Sequence, residues 1–338
     1  MKKILIFEPY SNQALAIAKY IKKYSDYYII GVLEEKRAFI NRKYYDEIIV
    51  SDITNIELNE YDYIFPMGAK STYSITDNYK KLCYKNEIFF SYHNLIVYNK
   101  PEMLNIAESL DIPIPKTFCK KEDIVNFPIF YKENFENGGG IRGIARNIDK
   151  IPSYPNLIYQ EYINTPSTYG VGFLAKNGEI VTFFQHKEII SYPEEGGSAV
   201  VIESFYDERL LKYTKKLLKK LNYDGWGLVE FKYCNKRKDY VFMEINAKFW
   251  ASIEFMLMNN ANFLYYLLGI KYKTEKAKKI VFVERYLQYN LISIVKNLKY
   301  IKNANKFIIE NGYCYIGFVL LKKIVPKFIQ KFLKRLLK

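Results

Sequence analysis

At 338 residues, 49% of them hydrophobic, the chain is long enough for two or three compact units and apolar enough to give them cores. Its four cysteines (Cys83, Cys119, Cys234, Cys314) are far apart and form no C-x-x-C pair, which argues against a zinc site or a disulfide framework and fits a reducing compartment. The net charge of +15 sits at one end: residues 271–338 hold 17 of the 51 basic residues and 3 of the 36 acidic ones, net +14, leaving +1 for residues 1–270. That uneven distribution, with no RNA-binding signature, ranks a nucleic-acid-binding reading last.

The amino-terminal apolar run stops after four residues at Glu8 and Pro9, too short for a signal-peptide core. No stretch approaches the roughly 18 apolar residues of a spanning helix, so a cytoplasmic location is expected. Residues 1–98 alternate strand-like and helix-like segments: KKILIF, a helix near Asn12–Tyr24, YYIIGVL, EIIV, DYIFPM, a helix near Tyr73–Cys83, and EIFFS. This is the rhythm of an α/β domain around a small parallel sheet. The first strand runs into EPYSNQ and not into a glycine-rich turn, so NAD binding is not expected there. The segment FPMGAKST, with Gly68, Lys70 and Ser71 at a strand end, reads equally as an anion-binding turn or an ordinary one.

A second unit, residues 99–270, opens with a helix over Lys100–Leu110 that must end before DIPIPKTF, where Pro113 and Pro115 forbid it. Strand-like PIFYK, a glycine loop, IARN, NLIYQEYI, GVGFLA and EIVTFFQHKEII follow, then a helix near Asp207–Leu221, giving an α+β pattern. GWGLVEFKYCNKRKDYVFMEINAKFW has the form of a β-hairpin. Centred at Arg237, it sets Glu230 opposite Glu244, with Leu228, Glu230 and Lys232 on one strand sharing a face, and Phe242, Glu244 and Asn246 on the other. Carboxylates facing each other on a sheet repel unless a cation lies between them, and Mg²⁺ is the natural candidate. A solvated face with Lys232 neutralising one glutamate is the competing reading. His93 and His186 are the only histidines, which excludes a multi-histidine metal site.

Taken in order, Lys100 before IPIPKTF, Tyr131–Lys132, the glycine loop, QEYI, EEGGS, G-x-x-x-EF and MEINAKFW resemble the ATP-grasp superfamily, most nearly its carbamoyl-phosphate synthase large-chain-like and D-aspartate ligase-like members. The likeness covers roughly residues 95–265. It implies a two-lobed ATP-grasp domain that binds ATP with Mg²⁺ and joins a small-molecule carboxylate to an amine through an acyl phosphate, with a degenerate nucleotide-binding module as the alternative. By resemblance, Lys100 and Lys132 approach the nucleotide phosphates. Gly138, Gly139 and Gly140 close over them. Gln160, Glu161, Tyr162 and Ile163 form the adenine hinge, and Glu230, Glu244 and Asn246 hold the metal. Lys248 and Lys187 are the basic groups at the reacting centre, each standing where the family has arginine. Glu133 replaces a proline often found after the phosphate lysine, and no ribose-holding acid is evident in STYGVG.

Residues 271–338 read as a basic, mainly helical C-terminal region. Its end, KFIQKFLKRLLK at 327–338, places Phe328, Ile329, Phe332, Leu333, Leu336 and Leu337 on one helical face and five basic residues on the other. Such a helix either lies on an anionic membrane surface or docks on the protein's own core.

Overall fold

The computed structural model describes residues 1–37, 40–78, 92–135, 140–194 and 196–324. β1 (Lys3–Phe7), α1 (Asn12–Tyr24), β2 (Tyr28–Leu33), β3 (Glu47–Val50), β4 (Tyr63–Phe65) and α2 (Ala69–Asn78) form the first unit. Its four-stranded sheet, in order β3-β2-β1-β4, is wholly parallel. α1 starts at Asn12 because the Ser11 hydroxyl accepts the Ala14 N–H at 3.3 Å, and its Ala14, Leu15, Ile17, Ala18 and Ile21 are buried.

α2 begins four residues before the expected Tyr73, and the reason lies in Glu8. The N–H groups of Gly68 (2.9 Å) and Met67 (3.3 Å) and the Ser71 hydroxyl (2.7 Å) all donate to Glu8 Oε2. An internal carboxylate therefore occupies the place at which FPMGAKST was expected to offer an anion site. Lys70 reaches Glu34 instead. The strand expected at EIFFS lies outside the described residues.

A 3₁₀ turn over Tyr92–Tyr98 leads into α3 (Lys100–Ser109), capped by Asn99 with a proline in its first turn. β5 (Thr117–Phe118), β6 (Ile129–Glu133), β7 (Arg142–Ala145) and β8 (Leu157–Glu161) make a small antiparallel sheet in order β5-β8-β6-β7. β9 (Thr168–Lys176), β10 (Glu179–Tyr192) and β11 (Ser198–Ser204) follow, then α4 (Glu208–Leu221), which presents Leu210, Leu217, Leu218 and Leu221 to the core and its lysines to water. β12 (Gly225–Cys234) and β13 (Asp239–Asn246) form the hairpin, and α5 (Ile253–Asn259) and α6 (Asn262–Leu268) close this part.

The C-terminal region departs from the mainly helical expectation. Besides α7 (Val283–Tyr286), α8 (Leu291–Ile301) and α9 (Tyr313–Ile324) it supplies β14 (Lys279–Phe282), antiparallel to β11, and β15 (Lys306–Ile308), parallel to β14. The large sheet thus runs β13-β12-β9-β10-β11-β14-β15. Without β14, the buried strand β11 would present an open row of N–H and C=O groups. Residues 327–338, expected as an amphipathic helix, lie outside the described residues. Among the described residues no helix is long and apolar enough to cross a membrane. One core joins the first unit to the large sheet: Ile4, Ile6 and Phe65 pack with Trp226, Phe249 and Phe263, and Trp226 stacks on Phe249 at 4.2 Å.

Candidate active site

β12 and β13 pair as the hairpin pattern requires, with Glu230 opposite Glu244 and Leu228 opposite Asn246. Nearer the turn the register is one lower, Phe231 facing Phe242 and Cys234 facing Asp239, so Met243 is an extra residue. This bulge corrects the expectation that Phe242 shares a face with Glu244. Phe242 turns into the hydrophobic core while Glu244 and Asn246 face a cleft. The Met243 carbonyl, at the bulge, accepts the Lys132 ammonium at 3.2 Å.

That cleft, about 820 Å³, lies between the small and large sheets. The small sheet contributes Phe130, Lys132, Arg142 and Ile144, and the large sheet Glu188, Leu228, Glu230, Lys232, Glu244 and Asn246. Lys100, at the start of α3, and Lys248, just after β13, also line it, as does the connection Tyr162–Ile163–Asn164 between the sheets. Lys132 and Arg142 are register partners on β6 and β7, so one short antiparallel pair delivers two cations to the same wall. The loop joining them is tied at its base, where Ile141 N–H donates to the Glu133 carboxylate at 2.9 Å and Glu133 N–H to Ile141 O at 3.1 Å. A proline at position 133 has no N–H to give.

The charges in the cleft set one carboxylate against another. Burial, then Glu244 and Glu188, push Glu230 well above the carboxylate range. Burial acts the same way on Glu244, but Lys132, Lys100, Lys248 and Arg142 outweigh it and hold that carboxyl low. Lys132 Nζ is 3.5 Å from Glu244 Oε2. The Asn246 amide nitrogen points at both carboxylates, 3.1 Å from Glu230 Oε2 and 3.4 Å from Glu244 Oε1. An N–H₂ dipole thus sits where a cation would, and turning that amide over would present a third oxygen. This hard-oxygen set fits Mg²⁺. Among the described residues no trio of His, Cys, Asp and Glu forms a self-contained metal site, so further ligands would have to come from phosphate oxygens or water.

Other expected site residues are placed unevenly. Tyr162 and Ile163 line the cleft, whereas the Gln160 side chain, on the same face of the small sheet as its register partner Phe130, is fully buried and does not line it, its amide donating to the Thr117 hydroxyl at 3.1 Å. Glu161 also lines the cleft, but its Oε1 accepts from Arg237 and from the Lys116 N–H. Gly140 is half-buried; Gly138 and Gly139 lie outside the described residues. Lys187 does not line the cleft: it faces Glu203 at 3.9 Å and the Tyr169 ring, and its neighbour Glu188 enters instead. The physical reason is strand alternation, which sends residues 187 and 188 to opposite faces. Glu188 accepts the Ser191 hydroxyl at 3.2 Å, and burial raises its carboxyl to about 7. His186 is buried, and burial drives its imidazole down to about 3, so its 3.9 Å approach to Glu188 is not an ion pair. Sequence reasoning missed Glu188 and Arg142; the antiparallel pairing of IRGIA with PIFYK, which sets Arg142 opposite Lys132, was the signal for the arginine, whereas nothing in FFQHKEII singled out Glu188.

No family model and no curated protein matches the sequence. Solved structures do: pyruvate carboxylase from Rhizobium etli, at TM-score 0.59 and 16% identity over 73% of this chain and 26% of that one. N5-carboxyaminoimidazole ribonucleotide synthetase from Thermotoga maritima is similar at 0.55 and 18%, covering 72% and 68% of the two chains. So is the biotin carboxylase domain of 2-oxoglutarate carboxylase from Hydrogenobacter thermophilus, in complex with MgADP, ADP and bicarbonate, at 0.58 and 15%, covering 75% and 65%. The chain has the ATP-grasp fold. At these identities the likeness is one of fold, and this chain spans about a quarter of the pyruvate carboxylase.

Proposed function

We propose that this protein is an ADP-forming, ATP-dependent carboxylate–amine ligase that uses Mg²⁺ and passes through an acyl phosphate. The observation that carries this reading is the meeting of Glu230, Glu244 and Asn246 with Lys100, Lys132, Lys248 and Arg142 in one cleft between two sheets. The cations offset phosphate charge, and the two carboxylates with the Asn246 amide oxygen would hold Mg²⁺, which when bound would neutralise charge on the transferred phosphoryl group. The backbone of residues 160–163 borders the base, and Lys248 steadies the phosphoryl group during transfer. A carboxylate oxygen attacks the γ-phosphorus and ADP leaves. The amine then attacks the acyl carbon and phosphate leaves. Positioning supplies most of the rate.

Incubation with Mg–ATP, a panel of carboxylates and hydroxylamine tests this, with hydroxamate and ADP expected in equal amounts. AMP and pyrophosphate would refute the mechanism. Mg–ATP binding without any product across the panel would favour a nucleotide-binding module that has lost turnover.

A further inference from the structure

α8 is a two-faced helix, and its outer side is exposed among the described residues. Ile294 packs on the cluster of Val200, Val281, Tyr286 and Tyr289, and Asn297 and Tyr300 line the cleft. On the opposite arc Leu291, Ile292, Val295 and Leu298 are 74%, 69%, 65% and 50% exposed. Four large aliphatics within two helical turns form a contiguous apolar stripe, which soluble surfaces rarely leave open without use. Lysines accompany it: Lys296 and Lys299 on the helix and Lys302 beyond it, with no acidic residue between positions 291 and 309; Lys306 is paired with Glu275.

We propose that this face of α8 docks on an anionic phospholipid bilayer. Charge selects the occupant. The chain's own last segment, 327–338, carries five basic residues and no acidic one, and a second copy of α8 carries the same lysines, so either would set like charges together. An anionic headgroup layer complements the lysines, and the acyl boundary beneath it receives the aliphatics. Nucleic acid would meet the lysines but leave the aliphatic stripe in water. Because Asn297 and Tyr300 of the same helix border the cleft, docking would bring the cleft mouth beside the headgroups.

Sedimentation of the full chain with vesicles of phosphatidylcholine alone, or mixed with phosphatidylglycerol, tests the inference. Binding to the anionic vesicles should exceed binding to the neutral ones by about tenfold or more. The I292Q/V295Q/L298Q variant should lose about tenfold of it while keeping the wild-type melting temperature. As a second readout, an environment-sensitive dye on I292C should shift to the blue with anionic vesicles. Wild-type affinity in the triple variant, no dye shift, no vesicle binding by wild type, or a concentration-dependent dimer abolished by the triple variant would each overturn the proposal. The assay reads binding alone, so its failure is separate from any failure of the ligase reading.

Discussion

Lys132 is the largest of the positive charges that hold the Glu244 carboxyl low against its burial. The lysine is 4% exposed, and the ammonium rests between the Glu244 carboxylate and the Met243 carbonyl. Substituting K132M removes a cleft-lining charge and leaves a buried carboxylate with one cation fewer. In wild type, Mg–ATP at about 100 times its Kd should add about 2.7 kcal/mol to stability. Scanning calorimetry should show that gain lost in K132M and in E244A; a wild-type-sized gain in both would remove these residues from the nucleotide site. His186 makes a different prediction. Its folded pKa, about 3, lies below the unfolded value near 6.5, so the native state binds fewer protons than the unfolded chain. The imidazole's contribution is fully present above pH 6.5 and is lost as pH falls towards 3, by at most about 1.4 kcal/mol per pH unit. Glu188, raised to about 7, has the opposite sign and masks part of the slope in wild type. The difference between H186F and wild type should therefore grow in the variant's favour between pH 6.5 and 5 in urea titrations. A difference independent of pH would mean the imidazole is charged in the folded protein.

At the level of elements, β9 is built to be approached closely. A Cβ on Gly170 would lie 2.4 Å from His186 Nε2, and one on Gly172 would lie 2.4 Å from the Trp250 ring. Both neighbours are ring atoms in a packed interior, so neither can swing aside. G172A should cost about 1–3 kcal/mol by overpacking. Since Trp250 also lines the cleft, the same variant should weaken Mg–ATP binding, measured by titration calorimetry. Stability and binding both unchanged would show that Trp250 relocates freely. The β12–β13 hairpin is the element most legible in the sequence. Its cross-strand pair Glu230–Glu244 follows from period-two alternation around a polar turn, while the bulge at Met243 does not.

For the molecule as a whole, residues 271–324 are part of the large lobe. Arg285 of α7 donates to Ala199 O and Ala251 O, each at 2.7 Å, both on the cleft wall, and forks onto Glu310, where Arg285 Nε and Glu310 Oε2 are 2.9 Å apart. Burial raises the Glu310 carboxyl and Arg285 opposes it; two N–H donors on its two oxygens favour the ionised pair. R285M should cost about 3–5 kcal/mol, read from chemical denaturation, because it strands Glu310 and frees two wall segments. A chain ending at residue 270 should aggregate, since β11 loses β14. A soluble, cooperatively melting 1–270 fragment would show that the large lobe closes without its last two strands.

What the sequence determined by itself is local or periodic: the parallel α/β start, α1 to the residue, the facing glutamates, and the order of motifs that resembles the ATP-grasp set. Those features follow from alternation, capping and proline, which act over a few residues. Tertiary structure decided what depends on which partner is nearby. FFQHKEII is a central strand, paired with β9 on one edge and β11 on the other, and its mixed polar pattern does not say whether Lys187 or Glu188 enters the cleft. KIVF is too short and too basic in its flanks to declare itself a strand, and becomes one because β11 has an edge to fill. The turn at Gly68 binds no outside anion because Glu8, sixty residues earlier, already accepts its N–H.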